Sequence, residues 1–188
     1  MKNYSSLVLL MTISLYAQNP VETAKTAEQR AATSLKQVND QVGAWLAGVN
    51  TYLDEQKKQG KPIDFPMILS GLNAAIEGMK VGTPAYDSLK DIIGDIEAQK
   101  IVGFFETLLT TLKTFKKIFE EMQQPKSAQQ GRVYTGGAAD ATSGGPSAAE
   151  VSKKMETVGS MLEANPLIDS NVKGAAAQLK DTLIQINK

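Results

Sequence analysis

The chain contains neither cysteine nor histidine in its 188 residues. Without them no Ser-His-Asp or Cys-His arrangement can activate a nucleophile. Zinc sites built on imidazole and thiolate are excluded as well. Disulfides are excluded, and so is a thiol for lipid attachment. Carboxylate, lysine and tyrosine chemistry remains, but those groups occur on every protein surface, so no enzymatic activity and no cofactor are expected. Charge of one sign is also lacking, with 20 basic against 20 acidic residues. A nucleic-acid partner would call for a basic excess gathered on one face, and none is expected. Long apolar runs are missing too. Leu7 to Tyr16 covers about ten residues, whereas crossing a bilayer takes roughly 20.

That one short run has a different use. Lys2 precedes it, Thr12 and Ser14 alone interrupt it, and Ala17 follows it before the polar Gln18-Asn19-Pro20. Positive start, apolar middle and small residue describe a secretory signal peptide over residues 1–17. The mature protein is then expected outside the cell or in a periplasm, with no transmembrane segment. The polar end, Thr182 to Lys188, lacks the apolar tail that directs a glycolipid anchor. Residues 18–124 form the expected first part of a helical bundle, 125–146 a flexible linker, and 147–188 the helices that complete it.

Helix signals dominate this organisation, and the fold class read from them is all-α. Asn19-Pro20-Val21-Glu22 sets a cap, a first-turn proline and a glutamate three after the cap. The helix is expected to run to Gln59, where Gly60 and Pro62 stop it. Its apolar positions Leu35, Val38, Val42, Trp45, Val49 and Tyr52 repeat at alternating steps of three and four, a bundle seam. A second helix spans about 64–81, with Ile68, Leu72, Ile76 and Met79 on one face. Thr83-Pro84 opens a third, continuous to Gln124. Two long rods with a short helix between them suggest antiparallel packing. Ser147-Ala148-Ala149-Glu150 is a capping box, followed by Val151, Met155, Val158 and Leu162. After Asn165-Pro166 a last helix carries Ile168, Val172, Leu179 and Leu183. The bundle is expected to be elongated, with four to five helices.

The segment from Ile101 to Met122 points furthest toward function. Its apolar residues cover about 200° of the helix, against a little over 100° for an ordinary surface helix. Two readings follow: a central helix with several neighbours, or a face that receives a ligand. The candidate ligand-binding residues are Phe104, Phe105, Leu108, Phe115 and Phe119, with Lys113 and Lys117 placed for an anionic headgroup. Gly103 lies beside Phe104 and Phe105, and the seam changes phase between Ile96 and Ile101, so a kink there is expected. Asp87, Asp91 and Asp95 form an acidic row at helical spacing, but a calcium loop draws its ligands from a turn, and no metal is expected. Trp45 is expected in the core, and Tyr134 exposed in the linker.

In general profile the chain resembles insect apolipophorins and fungal hydrophobic-surface-binding proteins: exported, helical, cysteine-free and of this size. The resemblance rests on class alone, and no motif carries a residue across. The functional expectation is a secreted, non-catalytic protein that binds a lipid or small apolar ligand. The alternative is an interaction or surface-coat protein, acting on a partner protein or by self-association.

Overall fold

The computed structural model describes residues 24–123 and 146–187. The expected signal peptide, the cap at Asn19, Tyr134 and nearly all of the expected linker lie outside the described residues. Six helices follow in order: α1 (Ala24–Gln59), α2 (Phe65–Gly82), α3 (Tyr86–Ile93), α4 (Asp95–Gln123), α5 (Ala148–Ala164) and α6 (Ser170–Ile186). Among the described residues there is no strand, so the fold class is all-α.

Local chemistry accounts for the helix ends. Gly60 takes a left-handed φ of 61°, a conformation costly to any residue with a β-carbon, and closes α1. Asp64 caps α2 by accepting from Met67 N at 3.0 Å, and its own N–H donates to the Tyr52 hydroxyl at 2.9 Å. At α5 both halves of the capping box are formed. Ser147 Oγ accepts from Glu150 N at 3.2 Å, and Ser147 N donates to Glu150 Oε2 at 2.7 Å. Asp169 caps α6 through Val172 N.

The expected third helix is in fact two. Gly94, at φ 86°, separates α3 from α4, whereas the kink expected at Gly103 is absent: α4 continues through it without a break. The start also moves: Thr83 closes α2, and α3 begins only at Tyr86. The row of Asp87, Asp91 and Asp95 is therefore split between two helices, and Asp95 lies 3.9 Å from Lys90.

Helix directions follow from the side-chain bonds. Asn39 of α1 meets Leu167 and Asp169 beside the start of α6, while Lys57 meets Gln185 near its end, so α1 and α6 run parallel. Phe65 at the start of α2 lies 6.4 Å from Phe119 near the end of α4, which makes that pair antiparallel. The two long helices α1 and α4 consequently run the same way, contrary to the antiparallel expectation. The reason is α2, whose 18 residues, about 27 Å, carry the chain back before α4 begins.

Packing divides the bundle into two layers. In one, α6 lies between α1 and α5; in the other, α4 lies against α2 and α3. Between the layers the backbone contacts are sparser, chiefly α4 with α5 and α1 with α3. Apolar side chains fill the space between. Leu46, Leu53, Leu72, Met79, Val158, Leu179 and Leu183 are fully buried, each contributing about 1.5–3 kcal/mol relative to exposure. Leu46 and Leu53 fall outside the expected seam of α1, so the buried stripe of that helix is wider than the seam alone.

Candidate ligand-binding core

The side chains expected to receive a ligand stand on α4. The structure brings Phe104, Phe105, Leu108, Phe115 and Phe119 together in the core, none more than 2% exposed. Phe104 and Phe105 meet edge to face with centroids 5.3 Å apart. The fully buried arc between Ile101 and Phe119 narrows to about 140°, with Val102 and Leu109 half-buried at its edge. Neighbours on α2, α3 and α5 account for that breadth. Lys113 and Lys117 are exposed on the far side of the helix and do not join this cluster. Lys116 between them pairs with Glu120 at 3.6 Å.

Thr111 belongs to this core and escaped the sequence reading. It is fully buried, and its hydroxyl has no hydrogen-bond partner. A buried hydroxyl left unpaired costs about 1–3 kcal/mol. The signal was present in the spacing. Ile101, Phe104, Leu108, Thr111, Phe115, Ile118 and Met122 form an unbroken seam at steps of three and four, with a threonine at its centre.

Two asparagines tie the ends of helices around the core. Asn39 is 4% exposed and uses both ends of its amide. Its Nδ2 donates to Leu35 O and Leu167 O, and its Oδ1 accepts from Asp169 N. Asn165, at the end of α5, donates to Gly103 O at 3.2 Å and to Thr107 Oγ1 at 3.1 Å on α4. At the other end of the same seam Lys154 pairs with Glu121. Polar contacts between α4 and α5 thus sit at the two ends of the seam.

Beside the Asn165 contact a surface groove of about 420 Å³ runs between the two helices, with Gly103, Thr107, Thr110, Met161 and Leu167 in its wall. A β-carbon at Gly103 would meet nothing within 4 Å, so close packing does not require a glycine there. Trp45, 7% exposed, is in the core as expected. Among the described residues, no group of three or more acidic side chains could hold a metal ion. No helix among them is long and apolar enough to cross a membrane.

The asparagine contacts had no counterpart in the sequence reading, because an asparagine within or just after a helix carries no period. Compared with known proteins, the chain matches no protein-family model, no curated protein and no solved structure.

Proposed function

We propose that this chain is an exported, non-catalytic helical protein that binds a lipid or another small apolar ligand in the core between its two helix layers. The observation that carries this reading is the α4 cluster. Phe104, Phe105, Leu108, Phe115 and Phe119 form a continuous apolar surface where backbone contact between the layers is sparse. An apolar chain placed there would exchange one set of dispersion contacts for another. The absence of histidine and cysteine from the sequence supports binding over catalysis. Export rests on the signal-peptide pattern of residues 1–17. The exposed Lys113 and Lys117 could meet an anionic headgroup only where a ligand emerges from the core.

The test is direct. Protein secreted from its own leader should begin near Gln18, yield lipid on organic extraction, and enhance the fluorescence of dansyl-undecanoic acid on titration. Empty protein that leaves the dye unchanged removes the ligand reading, and an intact Met1 on secreted protein removes the processing.

A second reading rests on a separate observation. Val81 in the last turn of α2, Ile92 in α3 and Ile96 in the first turn of α4 are 83%, 51% and 68% exposed. Large apolar side chains exposed to this degree suit contact with a partner protein or another copy. Sedimentation of the wild type against Val81→Ser/Ile96→Ser distinguishes it. Association lost in the variant favours the coat reading, and a monomer at all concentrations opposes self-association.

A further inference from the structure

We propose that the Thr111 hydroxyl is the polar anchor of the ligand site. Its ligand buries one neutral oxygen against that hydroxyl, as a long-chain alcohol, aldehyde or ketone can. This inference rests on the apolar-ligand reading and names the class of ligand that the α4 cluster takes.

A threonine inside a helix has a partner at hand, the carbonyl one turn back. Thr107, Thr114 and Thr157 use it, donating to Gly103 O, Thr110 O and Lys153 O at 2.7, 2.9 and 3.2 Å. Thr182, buried like Thr111, donates instead to Asn50 Oδ1 on α1 at 2.6 Å. Thr111 does neither. Its side chain is fully buried, and among the described residues its hydroxyl is the one buried side-chain polar atom without a partner. Valine has the same shape and would fill the position with nothing to satisfy. A buried hydroxyl costs stability unless something pairs with it, and the free protein supplies nothing.

Position decides what that partner is. On α4 the hydroxyl stands between Leu108 and Phe115, one turn before it and one turn after. Phe104 and Ile118 lie seven residues to either side, about 10 Å along the helix, and all four side chains are buried. An octyl chain laid along the seam from Thr111 is therefore in apolar contact whichever way it runs. Among the described residues no charged side chain is buried. An ionised head at Thr111 would thus lack a counter-ion, a far larger cost than a neutral group left without a bond. A neutral oxygen avoids that cost, and a threonine hydroxyl can donate to it.

Thr111→Val removes the hydroxyl and keeps the shape, whereas Thr111→Ser keeps the hydroxyl. Thr114→Val is the control, because the hydroxyl it removes is bonded to its own helix. The probes are octan-1-ol and octane, which share a chain and differ in the oxygen. Depletion of their vapour above the full-length protein gives both affinities at equilibrium, so the route of entry does not matter. The preference for octan-1-ol over octane should fall about fivefold in Thr111→Val, the worth of one neutral hydrogen bond. It should stay at the wild-type level in Thr111→Ser and Thr114→Val. Without ligand, Thr111→Val should melt at a higher temperature than wild type, since it loses a polar atom that nothing satisfied.

An unchanged preference in Thr111→Val overturns the anchor and leaves the ligand reading in place. A wild type that binds neither probe removes the ligand reading and the anchor with it. A ligand-free Thr111→Val that melts no higher than wild type shows that the hydroxyl already has a partner, water included, and overturns the anchor. Octanoate in its ionised form tests the class: the same dependence on the hydroxyl overturns a neutral ligand, and no dependence supports it. Should Thr111→Val fail to fold, Thr111→Ser against Thr111→Ala, which differ in the hydroxyl alone, makes the same comparison with the same expectations.

Discussion

The indole nitrogen of Trp45 lies over the bare α-carbon of Gly71, so close that an added β-carbon would sit 3.3 Å from it. Gly103 on α4 has the opposite surroundings, with nothing within 4 Å of such a carbon. Glycine within a helix costs about 0.8–1.0 kcal/mol relative to alanine. Gly103→Ala should recover most of that and raise stability by about 0.5–1 kcal/mol. Gly71→Ala should recover less, because Trp45 must shift to make room. Urea denaturation followed by far-ultraviolet circular dichroism measures both. Equal gains would mean that Trp45 does not press on α2.

Phe105→Ala should destabilise the protein by about 3–5 kcal/mol. The ring is 2% exposed and packs edge to face on Phe104, so its loss leaves a cavity inside the fold. A loss below about 1 kcal/mol, at the level of an exposed site, would place the ring in an open groove instead. Dye affinity measured on the same variant shows whether the ring also contacts ligand.

Asn39 satisfies two carbonyls and one N–H with a single side chain. Asn39→Leu removes all three bonds and strands the polar groups of Leu167 and Asp169 in a part-buried loop. The expected cost is about 2–4 kcal/mol, from penalties of about 1–3 kcal/mol per unsatisfied group. The N–H of Asp169 should also exchange its proton faster by nuclear magnetic resonance. Unchanged exchange at Asp169 would show that the bond does not hold the loop.

Glu150 accepts from the Ser147 backbone N–H and from its hydroxyl, and these bonds hold its carboxyl below the ordinary glutamate range. A pKa lowered by folding means that the folded state binds fewer protons. The contribution is present above the unfolded value, about 4.3, and is lost as pH falls through the folded one. The Ser147 amide resonance should therefore titrate with a midpoint below that of an unfolded glutamate. The first turn of α5 should fray only in that acid range. A midpoint at the ordinary value would mean that the box is open.

Helix existence was legible in the chain because period and caps are local properties. The stop at Gly60, the Asp64 start, the capping box at Ser147 and the apolar faces of α2 and α5 all depend on residues within a few positions of one another. The break at Gly94 is not legible there, and the kink expected at Gly103 is misplaced, since the two glycines are alike in sequence. Only the left-handed φ at Gly94 makes one a terminator, while Gly103 continues α4.

The sequence by itself determined that the protein is helical, that it lacks imidazole and thiol chemistry, and which face of each helix is apolar. The tertiary structure alone decided what those faces meet. Periodicity reports that a stripe such as Phe104 to Phe119 must leave water, but core and ligand groove satisfy that demand equally. Which helix covers it depends on packing between segments far apart in the chain. The same holds for the parallel course of α1 and α6, and for Asn39 reaching Leu167 across 128 positions. Such pairings rest on shape and hydrogen-bond complementarity that forms only when the helices pack together.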